Sequence, residues 1–292
     1  MLETDTQPTS SPLRTVLEER GRHLGEFDRV HVRDFSPARF RKEYMRLPGR
    51  PVVIEGALDG WRAREEWTFD FFRERFGDAR IPVGVVFEKK GTMRLAEYVD
   101  YLQERSAAAA RGEVDDLPKY LEGWYFKQDR PELADYYDFP AIFGPCWFKR
   151  YFPKAWDPDG VGILIGPRGA LTKLHNDGQS SHNMLAQLQG RKEWVVVDPA
   201  EVKGVFKDFR EDAGGYPGLD HPALVERVEQ VGYTTATIGP GDLVFIPSRF
   251  YHMVRTIEDS ISLTYNFMNG TNARRVLWDL FRTRVRNMVG RG

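Results

Sequence analysis

A mainly β fold with helices around it is what this 292-residue sequence predicts, and three observations carry the prediction. From about residue 145 onward, short apolar or alternating runs are separated by Gly, Pro and Asp clusters, the pattern of a sandwich or barrel. Before that point strands alternate with amphipathic helices, so the first half reads as an α/β decoration. A single helical pattern follows residue 270.

Residues 29–32 (Arg-Val-His-Val) form the first expected strand. Ser36-Pro37 then gives an N-cap with proline at the first helical position, and Phe40 and Tyr44 follow at helical spacing. Pro51-Val-Val-Ile54 predicts a buried strand closed by Gly56. A helix is expected from the cap Thr68 to the stop Gly77. Leu95, Tyr98, Val99 and Leu102 lie at i, i+3, i+4 and i+7, one face of a further helix, with a frayed end and loop over 106–119.

In the second half, Val161–Ile165 and Asn183–Gln189 read as strands. Gly190-Arg191 then suits a tight II′ hairpin into Lys192–Val197. Tyr233–Ile238, Leu243–Ile246, His252–Thr256 and Ser260–Phe267 follow, with turns at Gly239-Pro-Gly-Asp242, Pro247-Ser248 and Glu258-Asp259. Residues 199–222 are rich in Asp, Gly and Pro and read as a long surface insertion. Asn272 is the expected cap of a last helix that carries Val276, Leu280, Val285 and Val289.

Composition removes several function classes. Lys and Arg number 42 against 43 Asp and Glu, a net charge of −1, so bulk nucleic-acid binding is not expected. Cys146 is the only cysteine, which excludes an intramolecular disulfide and a thiolate zinc cluster and fits a reducing, cytoplasmic setting. No run of about 18 apolar residues predicts a membrane span. Residues 1–12 are polar, lack the apolar region of a signal peptide and read as a disordered tail.

The most informative spacing is His175-Asn-Asp177. On an extended strand, two residues apart means one face for both side chains. Two histidines and one carboxylate form the facial triad that holds Fe(II) and leaves positions open. His252 is the candidate third member, because it starts a strand after the Pro247–Tyr251 turn and a small barrel can bring it opposite. His182, seven residues past His175, is the rival ligand, whereas His23, His31 and His221 lack the setting. A bare His-x-Asp also arises by chance, and such a pair can be a satisfied buried network. Ser260, Ser262, Thr264 and Asn266 share one strand face, which suits either water or a wet cavity for an anion. Lys192 is either solvated or, if it points inward, a partner for a carboxylate.

Four runs carry a family resemblance: Leu171-Thr-Lys-Leu-His-Asn-Asp177, Asn183-Met-Leu-Ala-Gln-Leu-Gln-Gly-Arg-Lys-Glu-Trp194, the stretch Gly239-Pro-Gly-Asp to Tyr251-His252, and Ser260-Ile-Ser-Leu-Thr-Tyr-Asn-Phe267. Together they resemble the JmjC oxygenases, nearest the cupin-like branch that includes the factor-inhibiting asparaginyl hydroxylase. Arg50-Pro-Val-Val-Ile-Glu-Gly-Ala-Leu-Asp-Gly-Trp61 and Trp67-Thr68 extend the likeness, which covers about residues 28–270.

The resemblance implies a double-stranded β-helix, the jelly-roll or cupin core, over 141–270. Around it the chain divides into a flexible tail over 1–25, a helical and strand region over 26–140 packed on the barrel, and a C-terminal helix over 271–292, through which the resemblance implies a homodimer. His175, Asp177 and His252 would be the iron ligands. Lys192 and the Thr172 hydroxyl would take the distal carboxylate of 2-oxoglutarate. Tyr125, in Trp-Tyr-Phe-Lys-Gln, matches a tyrosine that touches the same carboxylate, with Tyr120 and Trp124 close by in sequence. Asn183 and Asn266 match asparagines near cosubstrate and metal. The implied activity is hydroxylation of a C–H bond, using Fe(II), 2-oxoglutarate and O2, on a protein or peptide side chain. Hydroxylation of a free amino acid or metabolite, and a catalytically silent ligand-binding cupin, are the alternatives.

Overall fold

Two facing β-sheets organise the computed structural model, which describes residues 17–85, 90–113, 117–151, 160–200 and 228–289. Six strands precede the barrel: β1 (Arg22–Glu26), β2 (Asp28–His31), β3 (Val52–Glu55), β4 (Arg80–Val83), β5 (Gly91–Arg94) and β6 (Leu121–Trp124). Eight build it: β7 (Val161–Gly166), β8 (Leu171–His175), β9 (His182–Gln189), β10 (Lys192–Val197), β11 (Gly232–Ile238), β12 (Leu243–Ile246), β13 (Tyr251–Thr256) and β14 (Ser260–Phe267). One sheet runs β2-β3-β12-β9-β14-β7-β6 and the other β1-β11-β10-β13-β8. The eight barrel strands thus divide four and four, pair antiparallel within each sheet and mostly change sheet from one strand to the next. This is the jelly-roll winding.

Strand composition follows from which faces are covered. The seven-stranded sheet is buried on both sides. Ile261, Leu263, Tyr265 and Phe267 of β14 pack into a layer with Phe40, Phe72, Tyr98 and Phe143 from the helical region. Between the sheets, Leu164, Leu185, Trp194, Val196, Ile238, Val244 and Val254 form a second apolar cluster. A strand buried on both faces reads as a continuous apolar run, which is what Leu243–Ile246 shows. Each large apolar side chain removed from water here contributes about 1.5–3 kcal/mol before entropy is counted.

Local signals place the outer helices. The Ser36 hydroxyl accepts from Arg39 N with Pro37 at the first position, although the helix loosens into a π turn over Arg41–Met45. The Thr68 hydroxyl accepts from Phe71 N and starts the helix Phe69–Phe76. The helix Leu95–Ala110 runs further than its apolar periodicity indicated and includes residues 106–110. A tertiary contact accounts for the extension, since Ser106 Oγ donates to the Asp259 carboxylate and ties this end to the barrel.

Three expectations change. Residues 22–26, expected within a flexible tail, form β1, a parallel edge strand on β11; its mostly exposed side chains left no apolar pattern to read. Residues 1–16 and most of the expected insertion, 201–222, lie outside the described residues. Gly190-Arg191 does not close a hairpin, because β9 and β10 belong to different sheets. It is a corner. Gly190 has φ +66°, and Arg191 O accepts from Ile257 N and Glu258 N at 3.0 and 3.3 Å. Asn272 does precede the last helix, Ala273–Val289, but its side chain works elsewhere. Its amide donates to Phe267 O and Ser180 O, and its Oδ1 accepts from Asn269 N. No helix among the described residues is long and apolar enough to cross a membrane.

The corner gives a test. A Cβ on Gly190 would stand 2.0 Å from Asp259 O, in a backbone region that disfavours side chains. Gly190→Ala should cost on the order of 2–4 kcal/mol. Gly112→Ala, at φ +71° with open space around it, should cost only about 1 kcal/mol. Urea unfolding of both variants checks the difference.

Candidate metal centre and its pocket

The pairing of β8 with β13 puts His175 directly across from His252. The register then slips, so that Val254 faces Thr172, and β8 carries one residue more than its partner. A regular strand would send Thr172 and His175 to opposite faces, three residues being an odd step. The bulge cancels that step, and both side chains line the same cavity. Asp177 lies just past the end of β8 and not on it, but its extended backbone (φ −65°, ψ 137°) keeps the two-residue alternation.

His175, Asp177 and His252 bring ligand atoms within 4.8 Å of one another. The imidazole centroids are 4.2 Å apart, and His252 Nε2 is 4.0 Å from Asp177 Oδ2. That gap is too wide for a hydrogen bond and leaves room for a cation at ligand distances of about 2.0–2.2 Å.

The tautomers are fixed by backbone. His175 Nδ1 donates to Lys173 O at 2.8 Å, and His252 Nδ1 donates to Phe250 O at 3.3 Å. A carbonyl can only accept, so each Nδ1 carries a proton, and in the neutral tautomer that selects, Nε2 keeps the lone pair for the centre. Burial and the neighbouring His175 push the His252 imidazolium well below its usual range, so this ring is neutral. Burial raises the Asp177 carboxyl, against the opposing pull of His175 and a hydrogen bond from Asn266. A buried carboxylate beside the neutral His252 ring is short of positive charge. The donor set fits a divalent metal.

The surroundings orient these groups. Asn183 Nδ2 donates to Asn266 Oδ1 at 2.7 Å and to Thr264 Oγ1 at 2.9 Å. With its oxygen held, Asn266 turns its amide to Asp177. Trp194 lies against the His252 ring with centroids 5.4 Å apart. His182, the rival ligand, is a core residue instead. Its Nδ1 accepts from Ser248 N at 3.0 Å, its Nε2 pairs with Thr271 Oγ1 at 2.8 Å, and burial lowers its pKa to about 3.

The cavity holds about 310 Å³. Deep in it Lys192, only 1% exposed, donates from Nζ to Tyr120 Oη at 3.0 Å, and Tyr120 also hydrogen-bonds Thr172. Burial pulls the Lys192 ammonium down to about 7. A buried cation whose hydrogen bond goes to a neutral phenol is complementary to a carboxylate. Tyr125 stands at the mouth, 52% exposed, beside Gly123. The tyrosine in contact with Lys192 is therefore Tyr120, which sequence spacing did not single out. One signal existed: a Cβ on Gly166 would meet the Tyr120 ring at 2.6 Å, so that glycine makes room for it.

A jelly-roll core with two histidines and a carboxylate at one mouth, above a buried lysine, defines a cupin with a candidate non-haem metal centre. The cupin-like domain family model matches residues 37–273, and the chain belongs to that family. Among similar proteins are the chicken (Gallus gallus) 2-oxoglutarate and iron-dependent oxygenase JMJD4, 28% identical over 88% of this chain and 63% of its own length, and the Arabidopsis thaliana arginine-specific demethylase JMJ20, 24% identical over 88% and 60%. The Caenorhabditis elegans bifunctional arginine demethylase and lysyl-hydroxylase psr-1 is 27% identical over 84% and 62%. The chain spans about three fifths of the length of these relatives. Support for the asparaginyl hydroxylase branch in particular is loose, because these relatives bear the names of other activities.

His182 offers a check on the ligand set. His182→Ala should leave divalent-metal affinity within about twofold of the parent while lowering stability by about 2 kcal/mol, through an unpaired Ser248 N–H and a cavity. Metal titration beside thermal melting separates the two effects.

Proposed function

We propose that this chain is an Fe(II)- and 2-oxoglutarate-dependent oxygenase that hydroxylates a side chain of a protein or peptide. The observation that carries the proposal is the commitment of both Nδ1 atoms to backbone carbonyls, which leaves two Nε2 lone pairs and Asp177 turned to one point. His175, Asp177 and His252 would hold the metal, and Lys192, Tyr120 and Thr172 the distal carboxylate of 2-oxoglutarate. When bound, iron, cosubstrate and O2 supply the oxidising power for hydroxylating a C–H bond, with succinate and carbon dioxide as by-products.

The chain's own part is positioning. Asn183 and Asn266 fix the Asp177 carboxylate. Leu164, Leu185, Trp194 and Val254 line the space between metal site and lysine and exclude water from it. A protein substrate is supported by two relatives whose names refer to arginine and lysine. The mouth also suits an extended ligand, being open beside Tyr125 and a Lys90–Glu122 ion pair at 3.1 Å. A homodimer through the last helix belongs to the same proposal, supported by Leu277, Trp278 and Phe281, each more than half exposed. Trp278→Asp with Phe281→Asp should then halve the mass seen by light scattering, and an unchanged mass would remove the dimer.

Two further outcomes are expected. His175→Ala and Asp177→Ala should each abolish oxygen-dependent succinate formation after anaerobic loading with Fe(II) and 2-oxoglutarate. A parent that binds metal yet forms no succinate with any peptide substrate would favour the silent cupin.

Lys192 gives a pH signature. Its folded pKa, about 7, lies below its unfolded value of 10.5. The unfolded chain therefore binds more protons between these values, and the stability of the ligand-free protein should rise with pH across that window. The cosubstrate carboxylate needs the ammonium, so 2-oxoglutarate affinity should fall as pH rises above about 7, with proton uptake on binding. Calorimetry in two buffers of different ionisation enthalpy reads the uptake. Lys192→Met should bind 2-oxoglutarate weakly and without that uptake, and an unchanged affinity would sink the assignment.

A further inference from the structure

Gln179, Ser180 and Arg249 are the non-glycine residues at positive φ among those described, at 56°, 51° and 73°. A residue with a side chain stays in that region only where its surroundings over-determine it. All three adjoin the metal centre in sequence. Ser180 lies three residues after Asp177, and Arg249 three residues before His252. The two loops that deliver these groups are thus held in conformations they would not keep alone.

Ser180 joins them. Its carbonyl accepts from Ser248 Oγ at 2.7 Å and from Asn272 Nδ2 at 3.1 Å. Its buried hydroxyl accepts from Arg249 Nε at 2.7 Å and donates to the Asp279 carboxylate. Arg249 Nη2 reaches both oxygens of the same carboxylate, at 3.3 and 3.4 Å. Asp279 is the only acidic residue of the helix Ala273–Val289, and it holds both loops at once. As a surface ion pair Arg249–Asp279 would matter little, since both side chains touch solvent. The shared contact with buried Ser180 gives the pair its leverage.

We propose that Asp279 is a positioning residue for the metal centre, acting through Ser180 and Arg249 to set the separation of Asp177 from His252. The last helix thereby becomes part of the site without touching it. This inference rests on the metal-binding reading above. Loss of the carboxylate frees the Asp177 loop and the His252 turn to relax toward ordinary backbone angles, and the three ligand atoms no longer converge unaided. Outer groups that orient ligands typically alter metal affinity by about 10–100-fold.

The test is anaerobic Co(II) titration, followed by calorimetry and by the visible absorption of the bound ion. Asp279→Ala should raise the Kd at least about tenfold and change the Co(II) spectrum, while the metal-free protein still melts cooperatively. Asp279→Glu should recover part of the affinity. Thr283→Ala, on the same helix and exposed, should bind as the parent does. Arg249→Gly removes the guanidinium and relieves the left-handed backbone together. If positioning is at work it weakens Co(II) binding like Asp279→Ala, and the double variant is no weaker than the weaker single. A Kd within twofold of the parent for both single variants, with binding lost in His175→Ala, would overturn the positioning role and leave the metal site standing. Should Asp279→Ala fail to fold, Arg249→Gly alone decides by the same twofold criterion. A parent that binds no Co(II) would overturn both readings.

Discussion

The antiparallel pairing of β8 with β13 is the constraint on which the site depends. It places His175 opposite His252, and its single extra residue turns Thr172 to the same side as His175. The carbonyls that fix the two imidazoles, Lys173 O and Phe250 O, belong to these same two segments. One ladder therefore sets ring spacing, ring tautomer and the line between the candidate metal centre and Thr172. A slip of one residue would undo all three, because the side-chain period of a strand is two.

Polarity inside the barrel is graded along this line. Toward the mouth, His175, Asp177, Asn183, Thr264 and Asn266 give a hydrogen-bonded rim. Deeper in, Leu164, Leu185, Trp194 and Val254 surround a single ammonium. Burying that charge is costly, and its depressed pKa reports the cost. A jelly roll tolerates such a group because the apolar layer on the outer side of the seven-stranded sheet supplies most of the burial. Stability and chemistry thus sit on opposite faces of one sheet. On β14, Ile261, Leu263, Tyr265 and Phe267 serve the first and Thr264 and Asn266 the second.

The helical region does more than cover that sheet. Tyr120 enters the pocket from the segment before β6, in the space left by Gly166, and Tyr98 Oη donates to Ile165 O at 2.6 Å. At the other end, the last helix reaches the two loops of the metal centre through Asn272 and Asp279. The site is assembled by the whole chain, although the three ligand candidates lie within residues 175–252.

Much of this was legible in the sequence where the physics is local. Alternation and turn residues marked seven of the eight barrel strands closely, all but β8; the hydroxyls of Ser36 and Thr68 marked helix starts, and His-x-Asp kept its shared face because two residues of extended chain always do. Long-range pairing was not legible. Gly190-Arg191 has hairpin chemistry, yet the partner it meets is the turn at 257–259, far away in the chain. Tyr120 and Tyr125 are equivalent as letters, and only the packing of one ring over Gly166 decides which meets Lys192. β1 carries no apolar pattern because backbone bonds to β11 hold it. The residue types and local spacings of a cupin with a candidate metal centre are already present in the unfolded chain. Which carbonyl, ring and carboxylate meet is set on folding, because those choices belong to pairings between segments far apart in the chain.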